Sequence, residues 1–416
     1  MRRCFIQENR RKFAPDFIHM GQIDIPEKGK LWTSNFKLVF TVNIFSSLAF
    51  YLLMIVISGF AIQQYRVSES QAGVAASIFI IGALVARLVF GKRVLKIGCK
   101  KTLYIGLILS LVMCLFYLIA SGIYPLILVR FLHGFGFGIC STALGTIVAL
   151  IVPPRRSGEG IGYYGLSQSI STAIGPFLGI LFARGGHYHA LFLVAAFVMV
   201  LGLICTKYLN LPDFRIEDEK SSSFSIRQYI EPGVIPISFI SLIAFCCYST
   251  VVSFLSLYAA ETGLTAAAKY FFIVYAVAIL VSRPITGKLY DRIGENLIMY
   301  PTFLLFVLGL LAYALTVSGG WLLFAAALIG YGIGTIQSTT QTISVKLTPR
   351  HRLGIANSTF FVLTDIGMGL GPIVAGLLIP ELGFRGMYLV FTCLGFMGLF
   401  AYHFLHGKKV MKKSFG

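Results

Sequence analysis

Charge is what this 416-residue chain has least of. Only 12% of its residues are charged and 57% are apolar, whereas soluble domains carry roughly 25% charged residues. With a mean hydropathy of +0.82, too few polar side chains remain to coat a water-facing surface. Composition therefore excludes an ordinary soluble globular protein and makes lipid the solvent of most of the chain. Acid is scarcer than base: 16 Asp and Glu stand against 35 Lys and Arg, a formal net charge of +19. The basic residues gather in loops between apolar runs, as in cytoplasmic loops of membrane proteins, so no nucleic-acid partner is expected.

Other absences narrow the function. The eight cysteines, Cys4, Cys99, Cys114, Cys140, Cys205, Cys246, Cys247 and Cys393, fall mostly inside apolar runs, with no CxxC. They read as small packing residues rather than disulfides or metal ligands. The opening stretch, residues 1–30, is basic but has no apolar core of signal-peptide length. A cytoplasmic extension is expected over 1–36, with Met20 as an alternative start. No P-loop GxxxxGK[ST], no GxSxG and no HExxH occurs. ATP-driven work, an enzyme activity, a cofactor and a metal are therefore not expected.

What is present is a series of apolar runs long enough to cross ~30 Å of hydrocarbon. Twelve are found, at 37–64, 71–91, 102–121, 124–151, 160–183, 189–208, 234–260, 265–287, 297–317, 320–346, 354–379 and 385–406. They are continuous rather than alternating, so an all-α polytopic membrane protein is expected, not a barrel. The longest polar gap, 209–233, carries Pro, Ser and mixed charge, and predicts a cytoplasmic linker between two six-helix bundles, 37–208 and 234–406, with a tail at 407–416. Lys and Arg concentrate in the loops after even-numbered spans, so both termini are predicted to be cytoplasmic, in the cell membrane.

The halves repeat at a constant offset. "RLVFGKRVLKIG" at 87–98 matches "RPITGKLYDRIG" at 283–294, and Gly91 and Gly287 lie 196 residues apart (287 − 91). The same offset joins "GFGFG" at 134–138 to "GYGIG" at 330–334, Pro153 to Pro349, Arg156 to Arg352, Gly158 to Gly354, and Gly175 to Gly371. Parallel repeats of six and six suit a transporter whose halves rock about a central site near the bilayer midplane.

These motifs carry a resemblance. "GKLYDRIG" resembles the loop motif G-x-L-x-D-R-x-G of the major facilitator superfamily, "LVRFLHGFGFG" at 128–138 its fourth-span motif R-x-x-x-G-x-G, and "STAIGPFLG" at 171–179 the fifth-span G-P motif of its proton-driven, drug-efflux-like antiporters. The resemblance implies a cytoplasmic latch built from Gly91, Lys92, Lys96, Gly98, Gly287, Asp291, Arg292, Gly294, Arg156 and Arg352. In it Asp291 meets the start of the fifth span near Arg155 or Arg156, an arrangement favoured by the positive end of a helix. Leu95 stands where the second copy has Asp291, so the gate is expected to be asymmetric.

Asp365, Arg130 and His133 stand out among the titratable residues inside spans. Asp365 is near the middle of the eleventh, where burial makes its charged form costly and lets it exchange a proton as access alternates. The resemblance implies coupling through such an acid, though usually on the first or fourth span, and the first span here has none. Arg130, in the fourth span, is either functional or snorkelling to the interface. His133, one turn on, is either a packing histidine or a proton carrier. Glu159 and Glu261 fall near span ends and read as interfacial. Small residues at Gly175, Gly179, Gly371 and Gly376, with Pro176 and Pro372, predict a close helix-packing seam. The resemblance implies a cavity lined by the first, fourth, seventh and tenth spans. Asn43, Phe50, Tyr51, Tyr248, Tyr331, Gln337 and Gln341 are candidates for contact with a small amphipathic substrate. The expected function is proton-coupled export by a monomer whose partners are the substrate, protons and the bilayer. Uptake or facilitated diffusion, and a non-transporting membrane receptor, remain open.

Overall fold

A computed structural model describes residues 29–54, 56–184, 186–212 and 226–415. Met20, Cys4, most of the expected extension and the centre of the linker lie outside the described residues. Helices form where the sequence is uninterruptedly apolar, because a helix satisfies its own backbone in lipid. The first span is two helices, Ser34–Met54 and Ile57–Tyr65, rather than one continuous run. The second to sixth are Glu69–Gly91, Cys99–Phe116, Ile123–Ile151, Ser157–Arg184 and Tyr188–Lys207. The seventh to tenth are Ile235–Glu261, Thr265–Ile293, Asn296–Ala314 and Gly319–Lys346. The eleventh and twelfth share the run Leu353–Tyr402, in which the backbone leaves helical geometry at Gly383 (φ 65°, ψ 177°). The sequence-based boundary at 379–385 falls at this break, where glycine tolerates a positive φ. No strand occurs among the described residues.

Apolar side chains bury into two cores, one within Leu31–Leu209 and one within Val234–Tyr402. Leu353, from the second half, joins the first core. Alternate glycines of the repeated motif face two different neighbours. A Cβ on Gly134 would collide with the Phe79 carbonyl of the second span. A Cβ on Gly136 would lie 2.6 Å from Ser110 Oγ of the third. In the other half a Cβ on Gly330 would lie 2.5 Å from Tyr275 O, and one on Gly332 would lie 2.6 Å from Phe306 Cβ. Each of these partners is again 196 residues on from its counterpart, so the repeat is one of contacts as well as of letters. Without side chains there, the backbones can approach closely.

The G-P segments pack in the same paired way. Gly175 sits against Tyr51 and Leu52 of the first span, and Gly371 against Cys246 and Ser249 of the seventh. Gly376 departs from the expectation. It is exposed with nothing near its Cβ position, and the fully buried residue one turn past Gly371 is Ala375. Gly179 is buried in its helix, and Pro372 lies inside the eleventh span.

The connectors after the second, fourth, eighth and tenth spans lie on one face, the connector face. The Gly29 carbonyl accepts from Arg156 at 3.5 Å and the Gly407 carbonyl from Asn296 at 3.0 Å, so both glycines lie on this face.

Packing predicts that Gly134→Ala costs about 1–3 kcal/mol through overcrowding and lowers the melting temperature of the purified protein. Gly376→Ala, in open helix, is expected to leave it unchanged or raise it slightly. Equal losses in the two would contradict the packing.

Candidate functional site

The two halves meet through glycines placed by the repeat. A Cβ on Gly91 would lie 2.5 Å from Ser358 Cβ, and one on Gly287 would lie 2.6 Å from the Gly158 carbonyl. Gly354 and Gly158, themselves 196 residues apart, occupy the same place on the eleventh and fifth spans. Two backbone seams therefore close the connector face.

In the second seam Asp291 caps the fifth span. Its Oδ1 accepts from Gly158 N and its Oδ2 from Glu159 N, both at 2.9 Å. These are amides that a helix start leaves unpaired, and an anion there is worth about 0.3–2 kcal/mol. The companion cation corrects the sequence reading. Lys346, at the end of the tenth span, stands 3.8 Å from Asp291 Oδ1, while Arg156 instead donates to Glu159 Oε2 at 2.7 Å. Glu159 is not interfacial but buried in this seam, 3.9 Å from Lys288. Glu261 is exposed at a span end.

In the first seam the same position is apolar. Val94 and Leu95 are buried in the core that Leu353 joins. Charge sits around the rim: Arg352 pairs with Glu231, and Lys92 lies 3.7 Å over the Tyr229 ring. Gly98 and Gly294 end the two turns with φ of 96° and 87°, a left-handed backbone that favours glycine. Lys96 and Arg292 are exposed on these turns.

One helical turn deeper lie two arginines that sequence reasoning missed. Arg87 and Arg283 open the two repeated stretches and look like further loop charges. The structure buries both. Arg87 pairs with Asp365 of the eleventh span, and its Nε and Nη2 each donate to Ser141 Oγ of the fourth at 3.4 Å. Its guanidinium lies 5.1 Å from the Phe361 ring, and its carbonyl accepts from Ser358 Oγ at 2.6 Å. Asp365 thus belongs to an ion pair spanning the two halves, with 23% of its side chain still exposed. The neighbouring Thr364 hydroxyl bonds to Ser241 and to the Phe360 carbonyl. Arg283 donates through Nη2 to Gln337 Oε1 at 2.6 Å. Gln337 is the repeat counterpart of Ser141. The signal that could have found both arginines was the offset itself, which pairs them inside spans.

Arg130 and His133 are brought together, but not with Asp365. Arg130 is fully buried; it donates to the carbonyls of Ala75 at 3.2 Å and Ala76 at 3.3 Å, and lies 4.6 Å over the Phe79 ring. It therefore does not snorkel. His133 Nδ1 is 3.1 Å from the Tyr117 hydroxyl. Arg87 is eleven residues beyond Ala76, roughly 16 Å along a helix.

The expected cavity residues divide. Asn43 is corrected: it is buried and donates to Ser167 Oγ at 2.7 Å within its own half. Phe50 stacks between Phe79 and Phe137 at 4.8 and 5.0 Å, also within one half. Tyr51, whose hydroxyl accepts from Gln168 at 3.4 Å, and Tyr248, stacked on Tyr275 at 5.5 Å, lie around Arg283 with Gln337. Tyr331 is half-buried on the tenth span and Gln341 is buried there.

Asp291→Asn replaces one accepting oxygen by a donor facing an amide, and is expected to loosen the second seam. With cysteine placed at Ser358 under Gly91 as a reporter of closure, maleimide labelling should rise several-fold over the same reporter with Asp291 intact. Unchanged labelling would show that the carboxylate does not hold the face closed.

The sequence and fold were compared with known proteins. The family model described as Major Facilitator Superfamily matches residues 39–372 and 317–414. Multidrug resistance protein MdtG of Proteus mirabilis is 25% identical over 91% of this chain and 97% of its own. The staphylopine export protein of Staphylococcus aureus is 24% identical over 76% of this chain and 83% of its own. The crystal structure of the transporter FucP in the outward conformation superposes with a TM-score of 0.75 at 17% identity, over 90% of this chain and 99% of that one. With a twelve-span fold repeated at one offset and a family match along nearly its whole membrane region, this chain belongs to the major facilitator superfamily of membrane transporters.

Proposed function

We propose that this transporter exports a small amphipathic molecule in exchange for protons, by alternating access across the plasma membrane, with both termini cytoplasmic. The rocking units are 37–208 and 234–406, joined by the linker 209–233, with 1–36 and 407–416 flanking them, and the unit of function is a monomer. The names of the multidrug-resistance and staphylopine-export relatives support the direction. The observation that carries the coupling is the Arg87–Asp365 pair between the halves.

With the connector face closed, ionised Asp365 holds the second span to the eleventh. Protonation removes its charge and leaves Arg87 with only the neutral Ser141 hydroxyl and the Phe361 ring. Breaking a buried pair from one side costs about 3–5 kcal/mol, enough to shift a two-state equilibrium substantially. A proton taken from outside thus favours separation of the seams and opening of the connector face. Its loss to the cytoplasm re-forms the pair and closes it. The latch at Asp291 and the rim pair Arg352–Glu231 must part in the same motion. Arg130 and His133 are assigned to holding the second, third and fourth spans together, not to carrying the proton.

The test uses proteoliposomes with an acidic lumen and three amphipathic probes, ethidium, chloramphenicol and salicylate. The wild type is expected to concentrate at least one of them, and a protonophore to abolish this. Asp365→Asn should lose gradient-driven accumulation yet retain exchange of the same compound at equal pH. Continued concentration by Asp365→Asn would remove the coupling role, and accumulation driven only by the opposite gradient would make the protein a symporter.

A further inference from the structure

The repeat leaves the second arginine without an acid. In the first copy Arg87 has a hydroxyl from the fourth span and a carboxylate from the eleventh. In the second, Arg283 has the Gln337 amide from the tenth span, the counterpart of the hydroxyl. The counterpart of Asp365 is Ser169 on the fifth span, whose hydroxyl donates to its own Gly165 carbonyl at 3.2 Å. Arg283 is only 2% exposed, and its Nε and Nη1 have no hydrogen-bond partner among the described residues. Gly165, one turn before Ser169, makes room for the guanidinium, since a Cβ there would collide with Nη1. Among the described residues no carboxylate pairs with Arg283; its titratable neighbours are the neutral phenols of Tyr51, Tyr248 and Tyr275. Tyr248 and Tyr275 lie nearly parallel, at 9°, and form a flat aromatic wall.

A buried guanidinium with two unused donors and no counter-ion is costly unless an anion joins it. One of these donors, together with the remaining hydrogen of Nη2, can form a fork on a planar oxyanion, and the wall beside them suits an aromatic or apolar body. We propose that Arg283 binds the carboxylate of the transported molecule, so that the substrates are amphipathic organic anions. The substrate would supply, in the second half, the negative charge that Asp365 supplies in the first. This rests on the transporter reading above and names the substrate class of the same central site.

The experiment measures thermal stability of the full-length purified protein in detergent, with no gradient applied. The probes are benzoate, salicylate and indole-3-acetate, each at about 10 mM, against the neutral benzamide and the cationic benzylamine. At least one carboxylate is expected to raise the wild-type melting temperature by roughly 2 °C or more, and the amide and amine to have no effect. Arg283→Gln should abolish the rise, and Ser169→Asp, which installs the missing acid, should abolish it while raising the melting temperature without ligand. Arg283→Lys should retain part of it. No rise with any carboxylate, an equal rise with benzamide, or a rise that persists in Arg283→Gln would overturn the proposal. If Arg283→Gln does not fold, the wild-type contrast between carboxylate and amide and the Ser169→Asp result still decide it. Because no gradient is applied, a failure of proton coupling leaves this result standing, and a failure here leaves the coupling test standing.

Discussion

Backbone contact between the halves, glycine against its neighbour's backbone, is the constraint on which the remaining site geometry depends. Gly91 and Gly287 each admit a helix from the opposite half at a separation that a side chain would forbid. Arg87 and Arg283 lie four residues earlier on the same helices, hence on the same face. Once the glycines touch, both guanidinium groups are carried into the interface and lose water. The deep charges are therefore a consequence of the shallow packing. Any motion that parts the glycines also rehydrates the arginines, which is why one opening event can govern both the seams and the ion pair.

The repeat places equivalent backbones at two seams but fills them with different chemistry. Near the connector face the acid is in the second seam, Asp291 on the start of the fifth span, while Leu95 is buried in an apolar core. One level deeper the acid is in the first seam, Asp365 beside Arg87, while the second has Ser169. At these repeat-related positions each seam thus has one acid, at different depths. The shallow one meets backbone amides and keeps some contact with Lys346, an arrangement that tolerates water. The deep one meets a side-chain cation that is itself buried, so its protonation state bears directly on that cation. An asymmetric pair can respond to two ligands, whereas identical seams would respond to both alike.

The fold was legible because its signals are long. Runs of about 20 apolar residues and an offset repeated across five landmarks survive errors of a few residues at any boundary. The capping role of Asp291 was also legible, through the resemblance of its loop motif to that of the superfamily. Its cation was not, because Lys346 comes from a helix end far away in sequence. Arg87 and Arg283 were hidden by that same bias: a basic residue next to a basic loop looks like part of it, and only the three-dimensional seam shows it to be buried. Asn43 and Gly376 failed for a different reason. Successive helical residues point about 100° apart, so a polar or small residue in a span has no assigned face until its neighbours are placed. For Gly376 the offset held the answer, since 196 residues before it is not Gly179 but the residue after.

In the proposed scheme Arg130 is a buried cation outside the coupling pair. Its donors go to two carbonyls of the second span and its face to Phe79. Helical carbonyls keep a second lone pair after their own helix bond, so they can accept a guanidinium without giving up the helix. The charge is met by fixed dipoles and a ring on the same rigid bundle. All of these partners belong to its own half, so in the proposed rocking of rigid halves its environment would be the same in both states, and a group with equal free energy in two states cannot bias them. Arg87 and Arg283 differ because their surroundings come from both halves. What selects the functional cation is the ownership of its partners, not its depth in the membrane or the strangeness of its burial.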